Sequence, residues 1–165
     1  MLILRVWLQL VRADFYNPLS QFIVKVSNPL VIPVRRIVPS IGGLDTGTLI
    51  LAFIFSGLKF VVIPLVNGGP FDPLSAAYFG FLSLIKQTGF LLFMIMLVMA
   101  IMSWVIQGYN PTLAVFSQLT EPFLTPIRRV IPVIGGLDLS LLAAFLILNV
   151  INILLSGWIP YWAML

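Results

Sequence analysis

The sequence predicts an all-α membrane protein with a tandem parallel repeat. Each repeat has two transmembrane helices joined by an interfacial amphipathic segment, which makes four spans. Three observations predict this fold: a thirteen-residue phrase occurs twice, each copy leads into a long apolar run, and 61% of residues are hydrophobic against 8% charged. A soluble domain carries roughly 25% charged residues. Nine basic and five acidic side chains cannot cover a water-exposed globule of this size, so lipid surrounds most of the chain.

The repeated phrase defines the domain organisation. It reads P-x-R-R-[IV]-[IV]-P-x-I-G-G-L-D at residues 33–45 and again at residues 126–138, a shift of 93 residues (126 − 33). A pattern of this length and composition indicates a tandem duplication, in which both halves share one structure. We therefore assign residues 1–66 to repeat 1, residues 67–86 to a linker and residues 87–165 to repeat 2.

Four apolar segments are candidates for the spans, each of which needs about 20 apolar residues. Residues 48–66, 87–106 and 139–159 are long enough, whereas residues 1–11 are short. Under the 93-residue shift the first residue aligns with Met94, well inside the third span. We therefore expect either a longer start upstream or a first helix of about half the usual length.

A further helical segment is predicted between the two spans of each repeat. Asn-Pro and Glu-Pro dipeptides bracket residues 17–29 and 110–122, and proline suits the first turn of a helix while breaking its interior. Apolar residues recur at helical spacing in the first segment, at Leu19, Phe22, Ile23, Val26 and Leu30. We interpret both segments as short amphipathic helices in the interface plane. An ordinary connecting loop is the alternative.

The arginine pairs are the strongest candidates for a binding site. Arg35, Arg36, Arg128 and Arg129 occupy matching places in the two phrases, between prolines that hold them at the headgroup level. A guanidinium group presents a planar fork of donors that suits phosphate. The pairs are predicted to bind anionic lipid or an acidic protein partner. In the alternative interpretation they only set the topology, with ion pairs to the aspartates that end each phrase.

Those aspartates are predicted to cap helices. Asp45 and Asp138 immediately precede the second and fourth spans, where a carboxylate accepts from free backbone N–H groups and favours the positive end of the helix dipole. Before them, the glycine pairs at residues 42–43 and 135–136 allow sharp turns of the backbone.

Polar residues inside the spans form a second group of candidates. Ser56 and Lys59 align with Asn149 and Asn152 under the 93-residue shift, and the spacing of three places each pair on one helix face. Such side chains are costly in hydrocarbon and normally face a bundle interior. They either join helices by hydrogen bonds or line a pathway. Arg5 lies deep in the first helix, and no acidic residue within a span can pair with it.

Charge distribution predicts the orientation, and composition excludes several chemistries. The arginine connections are rich in cations whereas residues 67–74 have none, so the positive-inside rule places both connections in the cytoplasm and both termini outside. With no histidine or cysteine, thiolate and imidazole metal sites and catalysis by those nucleophiles are excluded. We expect no enzymatic activity, cofactor or metal. A net charge of +4 in a membrane protein points to anionic headgroups and not to nucleic acid.

The repeated phrase, with F-Y-N-P at residues 15–18 and G-Y-N-P at residues 108–111, resembles the YggT family. These are small bacterial membrane proteins related to the YlmG proteins of Gram-positive bacteria, cyanobacteria and plastids. The resemblance implies a multi-pass protein of the bacterial cytoplasmic membrane without enzymatic activity. It also implies links to osmotic-stress tolerance and cation uptake, to division and nucleoid or envelope organisation, and to cytochrome assembly in plastids.

Two functions from different classes follow. The first is a membrane scaffold or assembly factor that acts through the arginine connections. The second is a small channel or osmotic-stress transporter lined by the polar residues of the spans. Because four spans are few for a transport pathway, the channel requires a homo-oligomer, and Lys59 in its lining opposes the passage of cations.

Overall fold

The computed structural model describes residues 1–106, 108–131 and 138–165, and in these ranges the regular structure is helical. The helices are α1 (Leu2–Leu10), α2 (Pro18–Arg35), α3 (Thr46–Val66), α4 (Pro73–Val105), α5 (Pro111–Val130), α6 (Leu139–Trp158) and a terminal 3₁₀ turn (Trp162–Met164).

Three helices of the described residues, α3, α4 and α6, are long and apolar enough to cross a membrane, which confirms an all-α membrane fold. The nine-residue α1 measures about 14 Å at 1.5 Å per residue, roughly half the ~30 Å hydrocarbon core. The 33-residue α4 is about 50 Å long and begins at Pro73, well before the predicted span at Gln87. Its first part therefore fills most of the stretch assigned to the linker.

The Asn-Pro dipeptides begin α2 and α5 by the same local chemistry. The Asn17 side chain accepts a hydrogen bond from the Leu19 N–H at 2.9 Å, and the Asn110 side chain accepts from the Thr112 N–H at 2.9 Å. The proline that follows each asparagine occupies the first helical turn, where its missing N–H has no intrahelical partner to lose.

Both connecting helices continue through prolines that were expected to end them. Helix α2 passes Pro29 and Pro33 before it ends at Arg35, and α5 passes Pro122 and Pro126. The predicted bracketing of the amphipathic segments was therefore wrong at its C-terminal side. Tertiary packing explains the continuation past Pro29 and Pro122, because the buried Val31 and Leu124 beyond them hold each helix against its neighbours despite the lost backbone hydrogen bond.

The packed face of α2 is not its most apolar face. The buried positions are Ser20, Ile23, Ser27 and Val31. Phe22, Val26 and Leu30, which belong to the predicted apolar side, are about half exposed. In lipid there is little hydrophobic drive to bring helices together, so small and hydroxyl side chains make the interhelical contact and bulky apolar ones remain outside.

The interior joins α1, α2, α4, α5 and α6. Its buried residues are mostly large and apolar, and they include Trp7, Leu8, Ile23, Leu92, Ile95, Met96, Val115, Leu119, Leu124 and Ala144. Trp7 meets Phe123 of α5 edge to face, with ring centroids 5.4 Å apart. This core brings the end of α1 and the middle of α5 together, beneath the arginine connections.

Among the described glycines, the closest approach of two helices is between α3 and α4, at Gly57 and Gly80. A Cβ atom added at Gly80 lies 2.8 Å from the Gly57 Cα atom, closer than real Cβ contacts. The two backbones therefore touch directly, as small residues allow in membrane helices.

A tight turn between α2 and α3 returns the chain toward the arginines. Gly42 and Gly43 have φ of +61° and +82°, values that residues with a side chain rarely adopt. Ile41 and Leu44 exchange backbone hydrogen bonds on either side of them. The corresponding glycines at residues 135–136 lie outside the described residues, so their predicted turn remains a prediction.

Candidate functional site at the arginine connections

Asp45 is the centre of the first arginine connection. It is the N-cap residue of α3, and its fully buried carboxylate accepts from the Thr48 N–H at 3.2 Å. Arg35, at the end of α2, donates to Asp45 Oδ2 from Nε at 3.0 Å and also from Nη2. The glycine turn makes this contact possible because it brings two residues ten positions apart in sequence face to face.

Arg5 completes this cluster from α1. Its Nη1 donates to Ser27 Oγ at 2.6 Å and to Asn28 Oδ1 at 2.9 Å, and its Nε lies 3.8 Å from Asp45 Oδ2. The buried Arg5 thus ties α1 to α2 and to the start of α3. Sequence reasoning missed this partner because it sought an acid within a span, whereas Asp45 lies just before one.

The second connection has a related cluster, in which Glu121 is present and, among the described residues, no counterpart of Arg5 takes part. Asp138 caps α6 by accepting from the Ser140 N–H at 3.1 Å, and Arg128 Nη2 donates to its Oδ2 at 2.7 Å. Arg128 also donates from Nη1 to Glu121 Oε2 at 2.9 Å, and Glu121 Oε1 accepts from the Thr125 hydroxyl at 2.9 Å. Its two carboxylates are partly exposed, whereas that of Asp45 is fully buried.

The two clusters carry opposite charge. Arg5 and Arg35 with Asp45 sum to +1, whereas Arg128 with Asp138 and Glu121 sums to −1. The aligned residues of the two repeats explain the difference. Under the 93-residue shift Arg5 aligns with the neutral Val98, and the neutral Asn28 aligns with Glu121. This paired replacement was a readable signal in the sequence, and it indicated the contact between Arg5 and Asn28, although not the one with Asp45.

Both capping carboxyls have lowered pKa values. Burial acts to raise the pKa of Asp45, but hydrogen bonds from Arg35 and Thr48 and the charge of Arg35 outweigh it, so the pKa lies below the ordinary 3.8. Burial also acts to raise the pKa of Asp138, but hydrogen bonds from Ser140 and Arg128 and the charge of Arg128 outweigh it, so this pKa is lowered as well. Both groups are therefore ionised at neutral pH.

These lowered pKa values predict acid lability. In the unfolded chain both carboxyls take up protons near the ordinary 3.8, whereas the folded protein resists protonation to a lower pH. Their stabilisation is therefore complete above about pH 4 and is lost as pH falls through the folded pKa values. We expect the thermal unfolding midpoint in detergent micelles to decrease as the pH is lowered below about 4, and to decrease less steeply in Asp138→Asn. A midpoint that already drops above about pH 5 contradicts this assignment.

The second arginine of each pair has a different environment from the first. Arg36 and Arg129 are exposed, and neither takes part in the ion pairs found in the described residues. Each pair is therefore divided: Arg35 and Arg128 bind the capping aspartate at the start of the following span, while Arg36 and Arg129 are not among the ion pairs of the described residues. This division was not readable from the sequence.

The polar residues of the spans have different partners: Ser56 bonds within its own helix, whereas Lys59 and Asn152 contact the C-terminal segment. Ser56 is buried, and its Oγ donates to the Ala52 carbonyl one turn earlier at 2.8 Å. Lys59 Nζ donates to the Leu165 carbonyl at 3.3 Å. Asn149 is exposed, and Asn152 Oδ1 accepts from the indole N–H of Trp162 at 2.9 Å. Helix α4 packs against both α3 and α6, so the two polar stripes do not form one face in the described structure.

Known proteins share this arrangement of residues along most of the chain. The family model described as CCB3/YggT matches residues 1–66 and 79–159, which include both arginine pairs and both capping aspartates. The chain belongs to the CCB3/YggT family. The resemblance found in the duplicated phrase is thereby confirmed.

Relatives from several bacteria extend this finding. An uncharacterized protein in the proC 3′ region of Vibrio alginolyticus is 52% identical over 163 residues, covering 97% of this chain and 88% of the relative. The uncharacterized protein YggT of Escherichia coli K12 is 45% identical over 152 residues, covering 92% and 79%. The uncharacterized protein PA0392 of Pseudomonas aeruginosa is 42% identical over 159 residues, with the same two coverages. No solved structure matches the chain.

Proposed function

We propose that this family member is a non-enzymatic scaffold or assembly factor of the bacterial cytoplasmic membrane. It binds anionic lipid headgroups, or an acidic protein partner at the same place, through Arg36 and Arg129. The observation that carries the proposal is the division of each arginine pair. Capping aspartates engage Arg35 and Arg128, whereas the neighbouring Arg36 and Arg129 are exposed, so their guanidinium groups are available to a phosphate.

The proposed architecture is a parallel tandem repeat of four spans, the first of them shortened, joined by amphipathic connections. Matching starts support it, since α2 and α5 both begin after Asn-Pro and α3 and α6 both begin after a capping aspartate, each 93 residues apart. We place both arginine connections in the cytoplasm and both termini outside, on the positive-inside rule. Residues at 36 and 129 then meet the same leaflet and act together.

The expected strength of this binding is moderate. A basic residue near an anionic membrane surface contributes about 1 kcal/mol. Two such residues contribute about 2 kcal/mol, or roughly a thirtyfold change in the dissociation constant. The attraction weakens with added salt, because exposed charges are screened.

A paired set of variants tests the proposal. Arg36→Gln/Arg129→Gln is expected to lose about thirtyfold in affinity for short-chain phosphatidylglycerol, measured by calorimetry on the detergent-solubilised protein, with an unchanged unfolding midpoint. The matched control, Arg35→Gln/Arg128→Gln, removes the same charge but is expected to lower the midpoint and to keep most of the affinity. Equal loss of affinity in both variants would mean that only total charge matters, and the proposed division of roles would be wrong.

The channel linked to osmotic stress and cation uptake is not the function we propose. It places Ser56 and Lys59 of α3 opposite Asn149 and Asn152 of α6, yet α4 packs against both helices. The Asn152 amide is also occupied by Trp162. The described structure offers no specific feature that favours a pathway between these side chains.

A further inference from the structure

A cleft of about 690 Å³ runs along α5 beside the end of α1, next to the second arginine connection. Its polar lining includes Gln118, Glu121, Thr125 and Arg129. The cleft is large enough for a small ligand, since such sites measure about 300 to 1,000 Å³. It lies where α5 leads into the connection before α6, which is the headgroup level of the proposed membrane placement.

Two opposite charges line this cleft without neutralising each other. The Glu121 side chain is 47% exposed, Arg129 is exposed, and the two are not among the ion pairs of the described residues. Glu121 binds Arg128 instead, within a cluster that carries a net charge of −1. A surplus carboxylate of this kind attracts a cation, and the guanidinium of Arg129 attracts an anion.

We propose that this cleft binds the headgroup of phosphatidylethanolamine, with the phosphate on Arg129 and the ammonium on Glu121. The assignment rests on the proposed function, which brings this surface to the lipid headgroups. The two residues are eight positions apart, or about 12 Å along the helix axis. Both residues line the same cleft, and an arginine side chain is long enough to shorten this separation to one that a short zwitterion can bridge. The ammonium donates hydrogen bonds that a fully methylated choline lacks.

The matching surface of the other repeat provides an internal comparison. Under the 93-residue shift Lys25 replaces Gln118, Asn28 replaces Glu121, and Arg36 corresponds to Arg129. At these three positions repeat 1 has two cations and no carboxylate that could bind an ammonium group. Both repeats therefore bind phosphate through an arginine, but only repeat 2 adds a carboxylate that favours a headgroup with a free ammonium.

Lipid competition measured by native mass spectrometry on the full chain in detergent tests this selection. With phosphatidylethanolamine and phosphatidylcholine of equal chain length, the native protein is expected to bind phosphatidylethanolamine on the order of tenfold more tightly, as a charge-assisted hydrogen bond implies. Glu121→Gln is expected to bind both equally while it retains phosphatidylglycerol, which shows that it is folded. Arg129→Gln is expected to weaken the binding of all three lipids.

The control for lost ion pairing is Asp138→Asn, which disturbs Arg128 but leaves the cleft intact and is expected to keep the preference. Equal binding of the two zwitterionic lipids by the native protein, or a preference that survives in Glu121→Gln, overturns the inference. Retained phosphatidylglycerol binding then leaves the proposed function standing. Soluble phosphoethanolamine is the last arm: if it binds as tightly as the lipid, the membrane headgroup is the wrong ligand.

Discussion

Asp45→Asn is expected to lower the free energy of unfolding by about 3 kcal/mol, because it removes the carboxylate shared by two arginines. Arg5 is buried and would keep its charge without a full counter-ion. The loss is placed at the lower end of the range for buried ion pairs because the Arg35 side chain is 39% exposed, so water compensates part of its charge. Urea unfolding in detergent micelles measures the change.

Two comparisons make this prediction specific. Asp138→Asn removes the equivalent carboxylate. This carboxylate is 32% exposed and its partner Arg128 is 34% exposed, so a loss of at most about 1 kcal/mol is expected. Adding Arg5→Met to Asp45→Asn is expected to recover stability, since the unpaired buried charge disappears. If the two single variants lose equal stability, the α1 arginine does not make the first cluster different from the second.

Gly80→Ala is expected to destabilise the protein by about 2 to 3 kcal/mol. The new methyl group would lie 2.8 Å from the Gly57 Cα atom and 3.3 Å from the Gly57 nitrogen. Backbone atoms cannot turn aside as a flexible side chain can, so α3 and α4 must move apart along their shared crossing. That separation costs packing over the largest helix pair of the bundle. Steric trapping or urea unfolding in micelles measures the loss.

Other glycines supply the controls for this substitution. Gly89→Ala lies on the same helix with open space around its added Cβ, so it is expected to be neutral or to stabilise by up to about 1 kcal/mol through helix propensity. At Gly57 the added Cβ meets its neighbours at 3.8 Å, an ordinary contact, and Gly57→Ala is expected to be tolerated. Similar losses at all three positions would mean that helix flexibility, and not the close crossing, requires glycine.

Prediction from sequence worked best where the cause was local or compositional. Few charges and long apolar runs were sufficient for an all-α membrane fold, and three of the expected spans are helices long enough to cross. The residue types before α3 and α6 pointed to helix starts because a carboxylate can satisfy backbone N–H groups two or three positions ahead. Nothing distant in the chain is needed for these outcomes.

The site was harder to predict because its contacts join distant parts of the chain. The α1 arginine reaches Asp45 across 40 positions (45 − 5), and only the packing of α1 on α2 and α3 brings them together. In the other repeat, the charge of the arginine cluster depends on Glu121, a residue that the sequence marked only as the end of a helical segment. The separate environments of the two arginines in each pair likewise depend on where the following span begins.

Taken alone, the amino-acid sequence determined that this protein lies in a membrane, that a phrase with two arginines and a capping aspartate occurs twice, and where α2, α3, α5 and α6 begin. These features follow from composition and from interactions between near neighbours. Only the tertiary structure decided that α2 and α5 continue through their prolines, that α2 packs through Ser20 and Ser27, and that one arginine of each pair binds the capping aspartate. Each of these depends on which neighbour covers a helix face, and in lipid hydrophobicity does not make that choice.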